Sequence, residues 1–144
     1  MFKKLLKKKE KTKPDNNVLV AALLVHAAKI DENYTNLEKI IIKKALIDLN
    51  NISEDQAEEV MLNAEKKEEE QNQIIEFTKE VKKYPMEYRL KIIEIIWKIV
   101  YSDNNSDNYE SNLIRRICGL LYISDKDNGI IKNKIQNKIQ NKLK

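Results

Sequence analysis

Two stretches of this sequence carry carboxylates and amides at matched spacing. Asp31-Glu-Asn-Tyr-Thr-Asn-Leu-Glu38 returns as Asp103-Asn-Asn-Ser-Asp-Asn-Tyr-Glu110, so D-x-N-x-[T/D]-x-x-E stands twice in one chain. Each copy puts an Asp first (Asp31, Asp103), an Asn third (Asn33, Asn105), Thr35 or Asp107 fifth, and a Glu eighth (Glu38, Glu110). Short oxygen-bearing side chains at alternate positions of one tight turn converge on a point, and a Glu from the first turn of the next helix reaches back toward them. That is chemistry for a hard divalent cation: calcium, magnesium or manganese. The glycine at position 6 and the glutamate at position 12 of an EF-hand are missing, so the loops are not that motif.

The same residues support a second reading. Thr35-x-x-Glu38 and Asp107-x-x-Glu110 are both capping boxes, in which the cap side chain accepts from the amide three residues on and the Glu returns to the cap amide. Capping accounts for positions 5 and 8. Asp and Asn at positions 1 and 3 are common turn formers, but capping does not require them to repeat.

The elements that must hold these loops read as helices. From Asn17 to about Lys29 the chain is apolar almost all round, which predicts a helix central to a bundle. After the first loop, Leu37, Ile40, Ile41, Lys44 and Leu46 to Leu49 keep a helical period that Asn50-Asn51 ends. Ser53-Glu-Asp-Gln56 is a capping box opening a third helix with Ala57, Val60, Met61 and Ala64 inward; the charged run Glu65–Gln73 is expected to be an exposed end or bend. A short helix over Ile74–Val81 stops at Lys83-Tyr-Pro85, and a fifth runs from about Met86 to Tyr101 with Trp97 as its largest core candidate. Tyr109 to Leu121 continue the period beyond the second loop, and Ser124-Asp-Lys-Asp127 caps a seventh helix.

The match between halves extends past the loops. Ile41-Ile-Lys-Lys44 has the offset of Leu113-Ile-Arg-Arg116, and Ser53-Glu-Asp55 returns approximately as Ser124-Asp-Lys-Asp127. No strand alternation appears. The expected fold is all-α: a compact bundle of about seven helices with two pseudo-symmetric helix-loop-helix halves.

Composition agrees. The 144 residues suffice for one domain, and only two glycines and two prolines leave few tight turns. The net charge of +4 hides a segregation: residues 1–13 carry +6 and residues 129–144 carry +5, which leaves −7 for residues 14–128. An acidic body suits cations or basic partners, and no nucleic acid is expected. The single Cys118 excludes an intramolecular disulfide and reads as an inert buried thiol.

Catalysis finds almost no material. The lone His26 lies on an apolar helix as a partly buried packing residue, and there is no glycine-rich phosphate cradle and no His-Glu-x-x-His. The chain is expected not to be an enzyme.

Ala21-Ala-Leu-Leu-Val-His-Ala-Ala-Lys-Ile-Asp31 through Glu38, Ile96-Trp-Lys-Ile-Val-Tyr-Ser-Asp103 through Glu110, and then Asn112-Leu-Ile-Arg-Arg-Ile-Cys-Gly-Leu-Leu-Tyr-Ile-Ser124 resemble the TerB-like family. This is the group of tellurite-resistance TerB proteins and relatives, including the amino-terminal region of the DjlA co-chaperones. The family's A-D-G-x-x-x-x-x-E appears as Ile30-Asp31 through Glu38 and Ser102-Asp103 through Glu110, with Glu32 and Asn104 in place of its glycine. The resemblance implies a compact all-α bundle, no established enzymatic activity, and a divalent-cation site. Carried onto this chain, that site is Asp31, Glu38, Asp103 and Glu110, helped by Asn33, Asn105 and Asp107.

Three segments follow. Residues 1–16 are expected to be a basic tail or, through Phe2, Leu5 and Leu6, a short amphipathic helix, 17–132 the TerB-like domain, and 133–144 a basic low-complexity helical tail. Val25-His-Ala27 would pass as a signal cleavage site, but cutting there would strip one repeat of its core helix. The chain is expected in the cytoplasm. Its expected partners are an unknown protein and, peripherally through residues 1–13, anionic membrane, each basic group there contributing about 1 kcal/mol.

Overall fold

The computed structural model describes residues 15–30, 34–71, 73–102 and 108–142. Among them are seven helices and no strand: α1 Asp15–Ala28, α2 Asn36–Asn50, α3 Glu54–Glu70, α4 Ile74–Val81, α5 Met86–Tyr101, α6 Asn108–Leu120 and α7 Asp125–Lys142. The expected amphipathic helix at the amino terminus lies outside the described residues.

Helix α1 is the hub. A helix apolar on every side must be covered on every side, and Val20 through Val25, Ala27 and Ala28 are all buried, with α2 to α6 packed around them. Small Ala21, Ala22, Ala27 and Ala28 allow close approach, and α3 and α4 make the closest company. Helix α5 is the second axis, burying Ile92, Ile93, Ile95, Ile96, Trp97, Ile99, Val100 and Tyr101. Trp97 fills the core and its Nε1 donates to Asn128 Oδ1 at 2.9 Å, tying α5 to the first turn of α7. Ile135, beyond the sequence boundary expected near residue 132, is buried in the same core, because α7 continues unbroken to Lys142.

Local signals set the helix ends. Ser53 accepts from the amide of Gln56 at 3.2 Å while the Ser53 amide donates to Gln56 Oε1 at 2.9 Å, a complete capping box at the head of α3. Asn51, with φ 52, takes the left-handed turn after α2, a conformation Asn tolerates. The corresponding turn after α6 is made by Tyr122 with φ 58, where glycine is the usual residue. Its amide donates to Gly119 O at 3.3 Å and the next amide, of Ile123, to Cys118 O at 2.9 Å, closing a Schellman pattern. The Lys82 ammonium 4.7 Å from the Tyr122 ring centroid gives that tyrosine a contact glycine lacks.

The run Glu65–Gln73, expected as an exposed end or bend, holds the end of α3 at Glu70 with Lys66, Glu69, Glu70 and Gln73 exposed, but it also buries Glu68, which the charge pattern did not suggest. The reason is periodic: Ala57, Met61, Ala64 and Glu68 form one stripe, and the last position faces α1 whatever its side chain.

Candidate functional site

The first acidic loop leaves α1 and enters α2. Lys29, after the last residue of α1, donates its amide to Val25 O at 3.0 Å, and Thr35 in extended conformation caps α2. The Thr35 amide donates to Glu38 Oε1 at 2.7 Å and the Glu38 amide to Thr35 Oγ1 at 3.1 Å, so the expected capping box is made. Glu38 is nevertheless only 3 % exposed. The other box in the chain provides the comparison, because Gln56 in the same role is exposed. Capping therefore does not by itself demand that such a carboxylate be buried.

What surrounds Glu38 is a cluster of charge. Tyr34, half-buried beside the loop, has its hydroxyl pushed far above the ordinary phenol range by burial first, then by the neighbouring Glu65 carboxylate, then by Glu38 and Glu68. Three carboxylates from α2 and α3 are thus felt at one point. The cations answering them are Lys39, whose Nζ lies 3.7 Å from Glu65 Oε2 and 4.9 Å from the Tyr34 ring centroid, and Lys29, with Nζ 2.9 Å from Glu68 Oε1 and 5.9 Å from the same ring. His26 Nδ1 stands 3.3 Å from Glu68 Oε2. Glu68 thereby clamps the end of α1 through two residues one turn apart.

Of the residues expected to hold a cation, Glu38 is placed as described. Asp31, Asn33, Asp103, Asn105, Asp107 and the side chain of Glu110 lie outside the described residues. Among the described residues no group of three or more His, Cys, Asp or Glu is arranged to hold a metal ion. The helices flanking the second loop are clear: Ser102 ends α5 with its hydroxyl donating to Ile99 O at 2.6 Å, and α6 starts at Asn108. Described residues at the edges of the two motifs share a surface groove. Leu37, from the seventh position of the first motif, and Tyr101 and Ser102, directly before the second, line the same surface groove.

Sequence reasoning named Glu38 and missed Glu65 and Glu68, which the solvated look of a charge run concealed. The i, i+4 and i+7 spacing of Met61, Glu65 and Glu68 was the signal that could have found them.

The Cys118 thiol is buried and pushed up to about 12, by burial first and then by Asp125, which leaves it protonated and inert at neutral pH. No helix among the described residues is long and apolar enough to cross a membrane.

Over residues 17–133 the chain matches the family model described as tellurite resistance protein TerB. No curated protein and no solved structure matches it. A family match across most of the chain, on an all-α bundle with the expected helix order, shows that the protein belongs to the TerB family.

Proposed function

We propose that this protein is a non-enzymatic, TerB-like stress-response module that captures a divalent cation with its two acidic loops. Asp31, Asn33 and Glu38 supply the first half of the donor set; Asp103, Asn105, Asp107 and Glu110 supply the second. Carboxylate and amide oxygens are the donors that calcium, magnesium and manganese prefer.

The observation that carries the reading is the burial of Glu38. A carboxylate withdrawn from water costs free energy that a helix cap alone does not require, as the exposed Gln56 of the second box illustrates. Glu65 and Glu68 add negative charge at the same end of α2, which raises the local attraction for a cation. That Leu37 shares a groove with Tyr101 and Ser102 supports a common neighbourhood for the two loops.

A second reading has its own support. The complete Thr35–Glu38 box, together with Lys29 and Lys39 among the carboxylates, fits loops that serve only as helix caps in an adaptor for a protein or a membrane surface. Thermal unfolding with calcium, magnesium and manganese separates the two. Capture by the loops predicts a rise in melting temperature that Asp103→Ala abolishes, whereas loops that only cap predict no change with any of the three ions.

A further inference from the structure

Helices α2 and α7 both pack on α5 but scarcely touch each other, and the space between them is an open trough of about 650 Å³. Its apolar surface is Leu37, Ile41, Ala45 and Leu49 from α2, Ile95 from α5 and Ile135 from α7. Leu37 is 51 % exposed, a large apolar side chain that the fold leaves in water. The stretch from Lys91 of α5 to its cap Ser102 that runs along the trough is about 17 Å long, the length of three helical turns.

The rim is basic. Lys44, Lys91, Lys98 and Lys138 line it against Asp48 and Glu94, and Glu94 already has Lys134 3.7 Å away. Among the described residues no ion pair involves any of those four lysines. Within residues 14–128, whose net charge is −7, Lys44, Lys91 and Lys98 outnumber Asp48 and Glu94 on this rim, and Lys138 joins them from the basic stretch 129–144, so the local sign is opposite to that of the acidic body. An apolar floor between unpaired cations is complementary to a helix with an apolar stripe and acidic flanks. The chain's own residues 1–13, with a net charge of +6, are mismatched to that rim, and the open form of the trough suits a helix lying in it better than an engulfed small molecule.

We infer that the α2–α5–α7 trough is a docking site for an acidic amphipathic helix of a partner protein. The inference is independent of cation capture by the loops. Three or four apolar side chains of the ligand helix at i, i+3, i+4 and i+7 cover Leu37, Ile41, Ala45, Leu49 and Ile95, while its glutamates meet Lys44, Lys98 and Lys138.

The test uses the full chain and a panel of labelled 15-residue helical peptides that share one leucine stripe and differ only in carrying Glu or Lys on its flanks. Fluorescence anisotropy at low and physiological salt is expected to show at least tenfold tighter binding of the Glu peptides. Lys44→Glu with Lys98→Glu should lose that binding and gain the Lys peptides, and Ala45→Trp, which fills the trough, should lose both. Circular dichroism establishes that each variant is folded. Equal binding of both charge types, binding unaffected by Ala45→Trp, or no binding by any Glu peptide overturns the inference. So does a concentration-dependent dimer dissolved by Ala45→Trp, which would make a second copy the occupant. Peptide binding that appears only after residues 1–13 are deleted would assign the trough to the chain's own amino terminus, and preference for anionic vesicles over every peptide would assign it to lipid; either result overturns it.

Discussion

His26 Nδ1 lies 3.3 Å from one oxygen of Glu68, whose other oxygen is 2.9 Å from Lys29 Nζ, so a single buried carboxylate holds the last turn of α1 against α3. The clamp sits where α1 delivers the chain into the first acidic loop. Removing the carboxylate leaves two polar partners facing a partly dry pocket. Glu68→Ala is therefore expected to destabilise the fold by about 1–3 kcal/mol, and Glu68→Gln, which keeps the shape and some hydrogen bonding, by less. Urea denaturation of the two variants checks the order; a change below about 0.5 kcal/mol for Glu68→Ala would mean that the clamp contributes nothing to stability.

Cys118 should behave as a core atom. With its thiol pushed up to about 12 by burial and then by Asp125, it has almost no thiolate at pH 8. A thiol-reactive dye is expected to label it slowly in the native protein and rapidly in urea. Comparable rates in the two conditions would place the thiol at the surface.

Tyr88 gives the fold an alkaline limit. Burial first, and then the neighbouring Tyr84, push its hydroxyl from the ordinary 10.0 up to about 12. The folded state therefore holds the proton more tightly than the unfolded one. The associated stability is complete below about pH 10 and is lost as pH rises toward about 12. Tyr88→Phe should flatten the fall in melting temperature over that interval without changing it at pH 7, and an unchanged alkaline slope would contradict the assignment.

Gly129 sits inside α7, and a Cβ built there meets nothing within 4 Å. Glycine costs a helix interior about 0.5–1 kcal/mol relative to alanine. Gly129→Ala is expected to stabilise the protein by that amount, read as an upward shift of the urea midpoint at constant slope. A loss of stability would show that the first turns of α7 need glycine's freedom.

Most of the architecture could be read before any coordinates because its determinants are local. The all-round apolarity of Val18–Ala28 requires a central helix, and Ser53-x-x-Gln56, Thr35-x-x-Glu38 and Pro85 each mark a helix end through contacts within a few residues. The candidate site was legible only in part, because its other determinants are not local. Glu68 looks solvated inside Glu65–Gln73, and only the approach of α1 to α3 makes it a buried partner for His26. The trough is still less visible in sequence. Ile41 and Leu49 read as core positions on α2, and it is the separation of α2 from α7 above α5 that leaves them partly in water.

The central claim is that the acidic loops capture a cation beyond their work of starting helices, and Glu38→Gln is the variant that parts the two roles. Glutamine makes a complete capping box elsewhere in this chain, at Ser53 and Gln56, so the substitution keeps the cap and removes a carboxylate. Isothermal titration of the 144-residue chain with calcium, magnesium and manganese should give saturable binding to the wild type. That binding should fall at least tenfold in Glu38→Gln, with the melting temperature of the cation-free protein nearly unchanged. No saturable heat from the wild type with any of the three ions, or equal affinity in wild type and variant, would contradict the account.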